Sequence, residues 1–251
     1  VKELTAAILR PRGEVLATRG NFNNDIGMPL TLLRLQQEAY AVIEMGANHH
    51  GEIAYLTQIA RPDVAIITNA GAAHLEGFGD LAGVARAKGE ILSGLGDDGV
   101  AVLNADDRFF DFWCELLGER RLLSFGSSER ADVRGELDRA ETVWTDQGFR
   151  SRMRVHHQET VFDVELALGG RHNMMNALAA IAAGLASGCS VEQIQQGLAS
   201  VEPVDGRLKA QQTNAGLHLI DDTYNANPDS VAAAIAAVSY THLTLPTTRL
   251  V

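Results

Sequence analysis

Apolar runs that end in polar residues constrain the fold of this chain more than any other feature. The runs are "AVIEMG", "DVAIITNAG", "GVAVLNADD" and, after a long interval, "LHLIDDTYNANP", and helical patterns follow them. Strands that alternate with helices predict an α/β fold, with a mostly parallel sheet flanked by helices. Ligands bind such sheets beyond the carboxyl ends of the strands. We expect a shared polar rim there, formed by Glu44, Thr68, Asn69, Asn104, Asp106, Asp221 and Asp222.

Residues 132–168 follow a different period. In "TVFDVELAL" the apolar residues Phe162, Val164 and Leu166 alternate with other residues, and "HHQE" before it has the composition of a turn. A period of two indicates antiparallel strands. We expect a small antiparallel side sheet in the same domain.

The pattern after residue 168 predicts two helices and then a domain boundary. The first helix runs from about Asn173 to near Gly188, and the second has Ser190 as its N-cap. A turn follows at "EPVDGR". We therefore predict one domain over residues 1–203 and the start of a second over 204–238.

Both ends of the sequence depart from an ordinary domain pattern. The chain opens directly in the helical pattern "VKELTAAILR", and it closes on "SYTHLTLPTTRLV" after the helical "PDSVAAAIAAV". We expect an incomplete chain in which residues 239–251 form a non-native tail that packs poorly.

Composition excludes several classes of function. With 251 residues, of which 46% are hydrophobic, the chain can bury a substantial core. A formal net charge of -11 argues against a surface that binds nucleic acid or anionic membrane. Only two cysteines occur, without CxxC spacing, and no segment looks like a signal peptide or a membrane span. We expect a cytoplasmic protein with free thiols.

Three residues form a possible metal site if they converge. Lys88 lies on the apolar stripe of "LAGVARAKGEILSGL", where its ammonium must be paired, deprotonated or modified unless the stem reaches the edge of the helix. His74 follows the "DVAIITNAG" strand, and Glu44 ends the "AVI" run. Taken singly, the histidine is more often structural, and the glutamate could simply face water or cap the next turn.

Asparagines mark two further segments. Asn23 and Asn24 precede an amphipathic helix, where they could cap a turn or hold a polar substrate. Asn173 and Asn176 lie one helical turn apart at a helix start, where either could be a cap while both could face a base or a sugar. The segment "DDTYNANPDS" holds more functional groups than a turn requires.

In their order along the chain these motifs resemble the Mur ligase family of ATP-dependent amide-bond-forming enzymes. The likeness extends from residue 1 to about Val238 through "GNFNNDIGMPLTLL", "EMGANHHGEI", "ITNAGAAHLEGFG", "ARAKGEI", "GRHNMMNALAA" and "DDTYNANPDS". It implies the central Mur ligase domain and the start of the C-terminal one, in a monomeric enzyme of peptidoglycan precursor synthesis. The last motif favours the member that uses ATP to activate a UDP-N-acetylmuramoyl tripeptide as an acyl phosphate, which the amine of D-Ala-D-Ala attacks.

The resemblance also implies roles for individual residues. Glu44 and His74 would bind Mg²⁺, and Lys88 would carry a carbamate that helps to hold a second Mg²⁺. In a metal-free chain, the unmodified ammonium of Lys88 could pair with Glu44 instead.

The resemblance also implies a nucleotide site. Asn173 and Asn176 would lie by the adenine, and Asp222 by the ribose. Arg207 would lie by the phosphates, with Tyr224 nearby. Asn23, Asn24, Asn225 and Asn227 would face the peptide and muramoyl substrates.

One family feature does not occur in the 251 residues. The glycine-rich phosphate loop of GxxGKT type would fall immediately before Val1, and Lys2 cannot replace its lysine. We therefore expect this polypeptide alone to bind ATP weakly and to form no amide bond. Alternatives are another Mur-type ligase, a folylpolyglutamate synthase-like ligase, or a non-catalytic nucleotide-binding homologue, against which the retention of Glu44, His74 and Lys88 argues.

Overall fold

The computed structural model describes residues 1–71, 75–145, 148–212, 218–224 and 228–239. His74, Asn225 and Asn227 lie outside the described residues, as does all of the predicted tail except Ser239. The helices are α1 (Lys2–Leu9), α2 (Gly27–Leu32), α3 (Glu52–Ala60), α4 (Leu75–Phe78), α5 (Leu81–Gly89), α6 (Phe110–Leu117), α7 (Arg171–Ala186), α8 (Val191–Ala199) and α9 (Pro228–Ser239). The strands are β1 (Val15–Ala17), β2 (Tyr40–Val42), β3 (Val64–Ile67), β4 (Val100–Asn104), β5 (Arg121–Gly126), β6 (Val133–Gly135), β7 (Glu141–Thr145), β8 (Gly148–His157), β9 (Thr160–Leu166), β10 (Lys209–Gln212) and β11 (His218–Asp221).

A seven-stranded mixed sheet organises the fold. Strands β3, β4, β5 and β6 pair in parallel in that order, which confirms the predicted parallel sheet. Strand β8 then pairs antiparallel with β6, β7 and β9. The predicted antiparallel strands are therefore present, and they continue the main sheet through the β6–β8 pair instead of standing beside it.

The sheet is covered on both faces, as parallel strands require. All five residues of β4 are buried. Val102 faces a core built with α1, α7 and α8, whereas Ala101 and Leu103 face a second core built with α5 and α6. The two helix layers thus reach the same central strand from opposite sides.

The helix ends show how local sequence sets the boundaries. Ser190 caps α8, as predicted, and Gln193 completes a capping box with it. Helix α7 begins at Arg171, two residues before the predicted start, because Gly170 at a φ of 92° ends the preceding segment. Both cysteines are free thiols, as expected.

Two small sheets stand apart from the main one. Strands β1 and β2 pair in parallel, and β10 and β11 pair antiparallel. Of the predicted polar rim, Thr68 and Asn69 follow β3, and Asn104 ends β4 with Asp106 two residues beyond it. Glu44 follows β2, and Asp221 ends β11. The rim is thus divided among three sheets. The domain boundary near residue 204 stays a prediction.

Gly197 should be indispensable to the packing of α8 on α1. A Cβ at this position would lie 2.5 Å from the Cα of Ile8 and 2.7 Å from the carbonyl oxygen of Ala7. Although alanine has the higher helix propensity, we expect Gly197→Ala to lower the free energy of unfolding by about 1–3 kcal/mol, because the two backbones must separate. Urea denaturation measures this change.

Gln196→Ala is the matched control, since Gln196 is exposed on the same helix. It should change the free energy of unfolding by less than about 0.5 kcal/mol. A Gly197→Ala variant that is as stable as the parent would contradict the backbone contact.

Candidate functional site

Glu44 lies two residues beyond β2 and is oriented by neutral groups. The side-chain amide of Asn23 donates to Glu44 Oε1 at 2.8 Å, and the backbone N–H of Glu44 donates to Thr18 Oγ1 at 3.0 Å. A cation also lies nearby, because Lys2 Nζ is 3.9 Å from Glu44 Oε2. The side chain is 41% exposed, so that its carboxylate is oriented and still accessible.

Lys88 is held by a backbone carbonyl rather than by Glu44. Its half-buried side chain on α5 donates from Nζ to the carbonyl oxygen of Asn69 at 2.6 Å. Burial lowers the pKa of the Lys88 amine, and the Asp107 carboxylate partly opposes that shift. The alternative pairing of Lys88 with Glu44 is wrong for this conformation, because each group has another partner among the described residues.

 Asn48 belongs to the segment after Glu44, and Gly77 belongs to the helix that follows residue 74. A Cβ on Gly77 would clash with the carbonyl oxygen of Asn48, so the two backbones touch. The chain segments that follow Glu44 and His74 are therefore in direct contact.

Two side chains that the sequence reasoning did not single out as site residues fix the segment after β3. Asn104 Nδ2 donates to the carbonyl oxygen of Thr68 at 2.8 Å, and the backbone N–H of Ala70 donates to Asp107 Oδ2 at 2.8 Å. The sequence signal was "LNADD" at the end of β4, where Asn104 was expected only as part of the rim. This segment also carries the carbonyl that binds Lys88.

Asn173 and Asn176 lie within the first turns of α7. Asn173 Nδ2 donates to the carbonyl oxygen of Gly169 at 2.8 Å, and Asn176 Nδ2 lies 3.3 Å from Asn173 Oδ1 as its donor. Neither asparagine caps the helix, because Gly170 occupies the N-cap position. The pair therefore forms a linked amide row at the amino end of α7.

A second polar group surrounds the end of β11 and the start of β10, which pair with each other. The guanidinium of Arg207 lies 4.2 Å from the centroid of the Tyr224 ring, and Asp222 Oδ1 accepts from the backbone N–H of Leu208 at 3.1 Å. Burial lowers the pKa of His172 on α7, and the Asp222 carboxylate opposes that shift. Sequence reasoning missed His172, which places α7 near Asp222.

Val1, the residue before α1, lies near both groups. The Arg207 guanidinium and the Glu44 carboxylate both act electrostatically on its nitrogen. Both side chains therefore lie close enough to Val1 to act on it electrostatically. The residues predicted for metal and for phosphate face the same end of α1.

Two of the predicted substrate residues are engaged within the chain. Asn24 Oδ1 accepts from the backbone N–H of Gly27 at 2.8 Å at the start of α2, and Asn23 holds Glu44. In this conformation Asn24 therefore caps the turn before α2, which is one of the two roles that the sequence left open for it. Among the described residues, no group of three His, Cys, Asp or Glu side chains is arranged to hold a metal ion.

Comparison with known proteins identifies the class to which this fold and site belong. Residues 1–184 match the family described as Mur ligase middle domain. The chain belongs to the Mur ligase family. In the part of the chain that the structure describes, no helix combines the length and apolarity needed to span a membrane.

Individual relatives narrow the comparison. The UDP-N-acetylmuramoyl-tripeptide–D-alanyl-D-alanine ligase of Escherichia coli K12 is 45% identical over 240 residues, which cover 95% of this chain and 52% of that protein. A crystal structure of MurF from Acinetobacter baumannii is 40% identical, with a TM-score of 0.88, and the match covers 96% of this chain and 51% of that one. MurF ligase from Thermotoga maritima in complex with ADP is 30% identical, with a TM-score of 0.83 and coverage of 95% and 54%. The chain thus spans about half the length of these relatives.

The contact between Gly77 and Asn48 generates a local prediction. A side chain at Gly77 must push α4 away from the segment after β2, at a local cost of about 1–3 kcal/mol. In Gly77→Ala, amide hydrogen exchange of residues 44–51 and 75–78 should become at least about fivefold faster. Exchange followed by mass spectrometry measures both segments.

Gly96→Ala is the control, because a Cβ at Gly96 meets no atom within 4 Å. Its exchange in the two segments should equal that of the parent. Unchanged exchange in Gly77→Ala would show that the two segments do not depend on each other.

Proposed function

We propose that this chain is the catalytic core of a ligase that adds D-Ala-D-Ala to a UDP-N-acetylmuramoyl tripeptide with ATP. One observation carries the proposal. The half-buried amine of Lys88 and the accessible carboxylate of Glu44 each bind a neutral group of the chain and do not pair with each other. The names of the relatives supply the substrates, and the shared fold supports the same use of ATP.

Glu44, His74 and Lys88 are the proposed Mg²⁺ residues. An oriented, accessible carboxylate suits Mg²⁺, which prefers oxygen ligands. The lowered pKa of Lys88 favours its neutral amine, which can form an N–C bond to CO₂ and release one proton to water. When bound, Mg²⁺ would shield phosphate oxygens so that the anionic carboxyl group of the substrate can approach ATP.

The nucleotide is proposed to lie between α7 and the end of β11. Asn173 and Asn176 offer amide groups to adenine, and Asp222 offers a carboxylate to ribose. Arg207 stacks on Tyr224 and forms no ion pair with a described residue, so that its charge is available to phosphates. The proposal keeps Asn23, Asn24, Asn225 and Asn227 on the side of the peptide and muramoyl substrates.

The proposal extends to the organisation of the protein. Residues 1–203 would form the central ATP-binding domain, with a C-terminal domain that begins at residue 204. We propose that the enzyme is a cytoplasmic monomer, in keeping with its net charge of -11 and its free thiols.

A chimera tests the proposed reaction. Residues 1–239 would replace the matching segment of the Escherichia coli ligase, which supplies the flanking segments. Given ATP, the tripeptide substrate and D-Ala-D-Ala, the chimera should release phosphate and form the amide product, measured by coupled phosphate assay and mass spectrometry.

The unaltered Escherichia coli ligase is the positive control. A chimera that forms product only with the third residue of the stem peptide, or with glutamate on a folate, would assign the chain to another ligase of the family. A folded chimera that binds ATP and forms no product with any of these substrates would contradict an enzymatic role.

Lys88→Ala in the chimera tests the carbamate. Loss of this group should lower kcat by about a hundredfold or more, as for other groups that stabilise developing charge. A small carboxylic acid such as acetate should restore part of the rate, because it can occupy the space of the carbamate. Steady-state kinetics with and without acetate measure both effects.

Lys88→Arg is the matched variant, because arginine keeps the positive charge and cannot form the carbamate. It should be as inactive as Lys88→Ala and should not respond to acetate. Activity of Lys88→Arg close to that of the parent would rule out the carbamate.

A further inference from the structure

Three backbone polar atoms on the successive residues 68, 69 and 70, which belong to two neighbouring peptide groups, are each held by a different side chain. Asn104 binds the carbonyl oxygen of Thr68, Lys88 binds that of Asn69, and Asp107 binds the N–H of Ala70. The three distances are 2.8, 2.6 and 2.8 Å. An ordinary strand end needs no such series of contacts, because its peptide groups can bind water.

The parallel pairing of β3 with β4 brings these groups level. Ile67 pairs with Leu103, so that the next residue of each strand, Thr68 and Asn104, lie side by side. Asn104 is buried, and its Oδ1 accepts from the backbone N–H of Asp106 at 2.9 Å. Its amide therefore has one orientation, with the N–H group towards Thr68.

The carboxylate of Asp107, like the amide of Asn104, has one fixed orientation. Its Oδ2 accepts from Ala70, and its Oδ1 accepts from the backbone N–H of Phe109 at 2.9 Å. Because both oxygens have donors, the carboxylate cannot rotate without losing one hydrogen bond. The segment after β3 is thus attached to the rigid turn after β4.

We propose that Asn104 and Asp107 are positioning residues for Lys88, and that they act by fixing the backbone of residues 68–70. This inference rests on the proposed function, in which Lys88 takes part in the reaction. Asn104 and Asp107 hold the Asn69 carbonyl in place, and that carbonyl in turn holds the nitrogen of Lys88.

The hydrogen bond to the Asn69 carbonyl can form with either the unmodified or the carbamylated Lys88. A lysine carbamate keeps one N–H on its nitrogen, and this N–H can still donate to the Asn69 carbonyl. With its nitrogen bound there, the new carboxylate must point away from Asn69. The backbone of residues 68–70 therefore selects the direction in which Lys88 presents its reactive group.

Pulse acylation of the 251-residue chain tests this inference without any need for ligase activity. Acetic anhydride acylates neutral amines, and mass spectrometry reports the rate at Lys88 with Lys209 as internal reference. In Asp107→Ala and Asn104→Asp, acylation of Lys88 should be at least about fivefold faster than in the parent, as the loss of one hydrogen bond allows.

The two variants separate position from charge. Asp107→Ala removes a negative charge near the amine, which by itself favours the neutral form, whereas Asn104→Asp adds one and favours the ammonium. Charge alone would thus shift the two rates in opposite directions. Release of the backbone accelerates both, and if Asp107→Ala does not fold, Asn104→Asp decides the question.

Asp132→Ala is the matched structural control. Asp132 Oδ2 accepts from the backbone N–H of Ser124 at 2.8 Å in the same sheet, and none of its hydrogen bonds to described residues involves residues 68–71. In Asp132→Ala, Lys88 should be acylated at the same rate as in the parent, even if the variant is less stable. Rates within twofold of the parent in the folded Asp107→Ala and Asn104→Asp variants, or equal acceleration in Asp132→Ala, would overturn the inference.

Kinetics of the chimera give a second readout. Asp107→Ala should lower kcat more than it raises KM, and it should cause little further loss when Lys88 is already alanine, because both changes remove the same function. An equal loss in both backgrounds would mean that Asp107 acts independently of Lys88. A folded parent chimera that binds ATP and forms no product would contradict the proposed function, and the acylation rates would still decide whether Asn104 and Asp107 position Lys88.

Discussion

The parallel pairing of β3 with β4 is the interaction on which the site depends. It places the ends of two neighbouring strands level, so that Asn104 and Asp107 can reach the backbone of residues 68–70. Because β4 is buried on both faces, helices from both layers must pack against it. One layer contributes Lys88 on α5, and the other contributes Asn173 on α7.

The electrostatic arrangement keeps the reactive groups apart. A buried ion pair between Glu44 and Lys88 would satisfy both charges and would have to be broken before either could bind a metal ion or react. Instead, an amide orients Glu44 and a carbonyl orients Lys88. Neutral hydrogen-bonding partners fix the geometry and leave the chemistry of both groups available.

Sequence patterns predicted the parts of this structure that depend on local or periodic interactions. The alternation of Phe162, Val164 and Leu166 predicted β9, and the Ser190 cap predicted the start of α8. The apolar stripe placed Lys88 correctly within α5, because helical spacing is a property of neighbouring residues.

Contacts between distant segments could not be read in the same way. The partner of Lys88 is a backbone carbonyl, and no residue type marks which carbonyl will be reached. Asn23 was expected to face the substrate, yet it holds Glu44 across 21 residues of sequence. The metal site itself remains a prediction, because His74 lies outside the described residues.

Broadening of backbone NMR resonances by Mn²⁺ tests the central claim, that Glu44, His74 and Lys88 form one divalent-cation site. On titration of the 251-residue chain, the amides of residues 44, 74 and 88 should broaden together, before those near Gly96, and Glu44→Gln should abolish the effect. Broadening confined to one of the three segments, or unchanged in Glu44→Gln, would contradict the account.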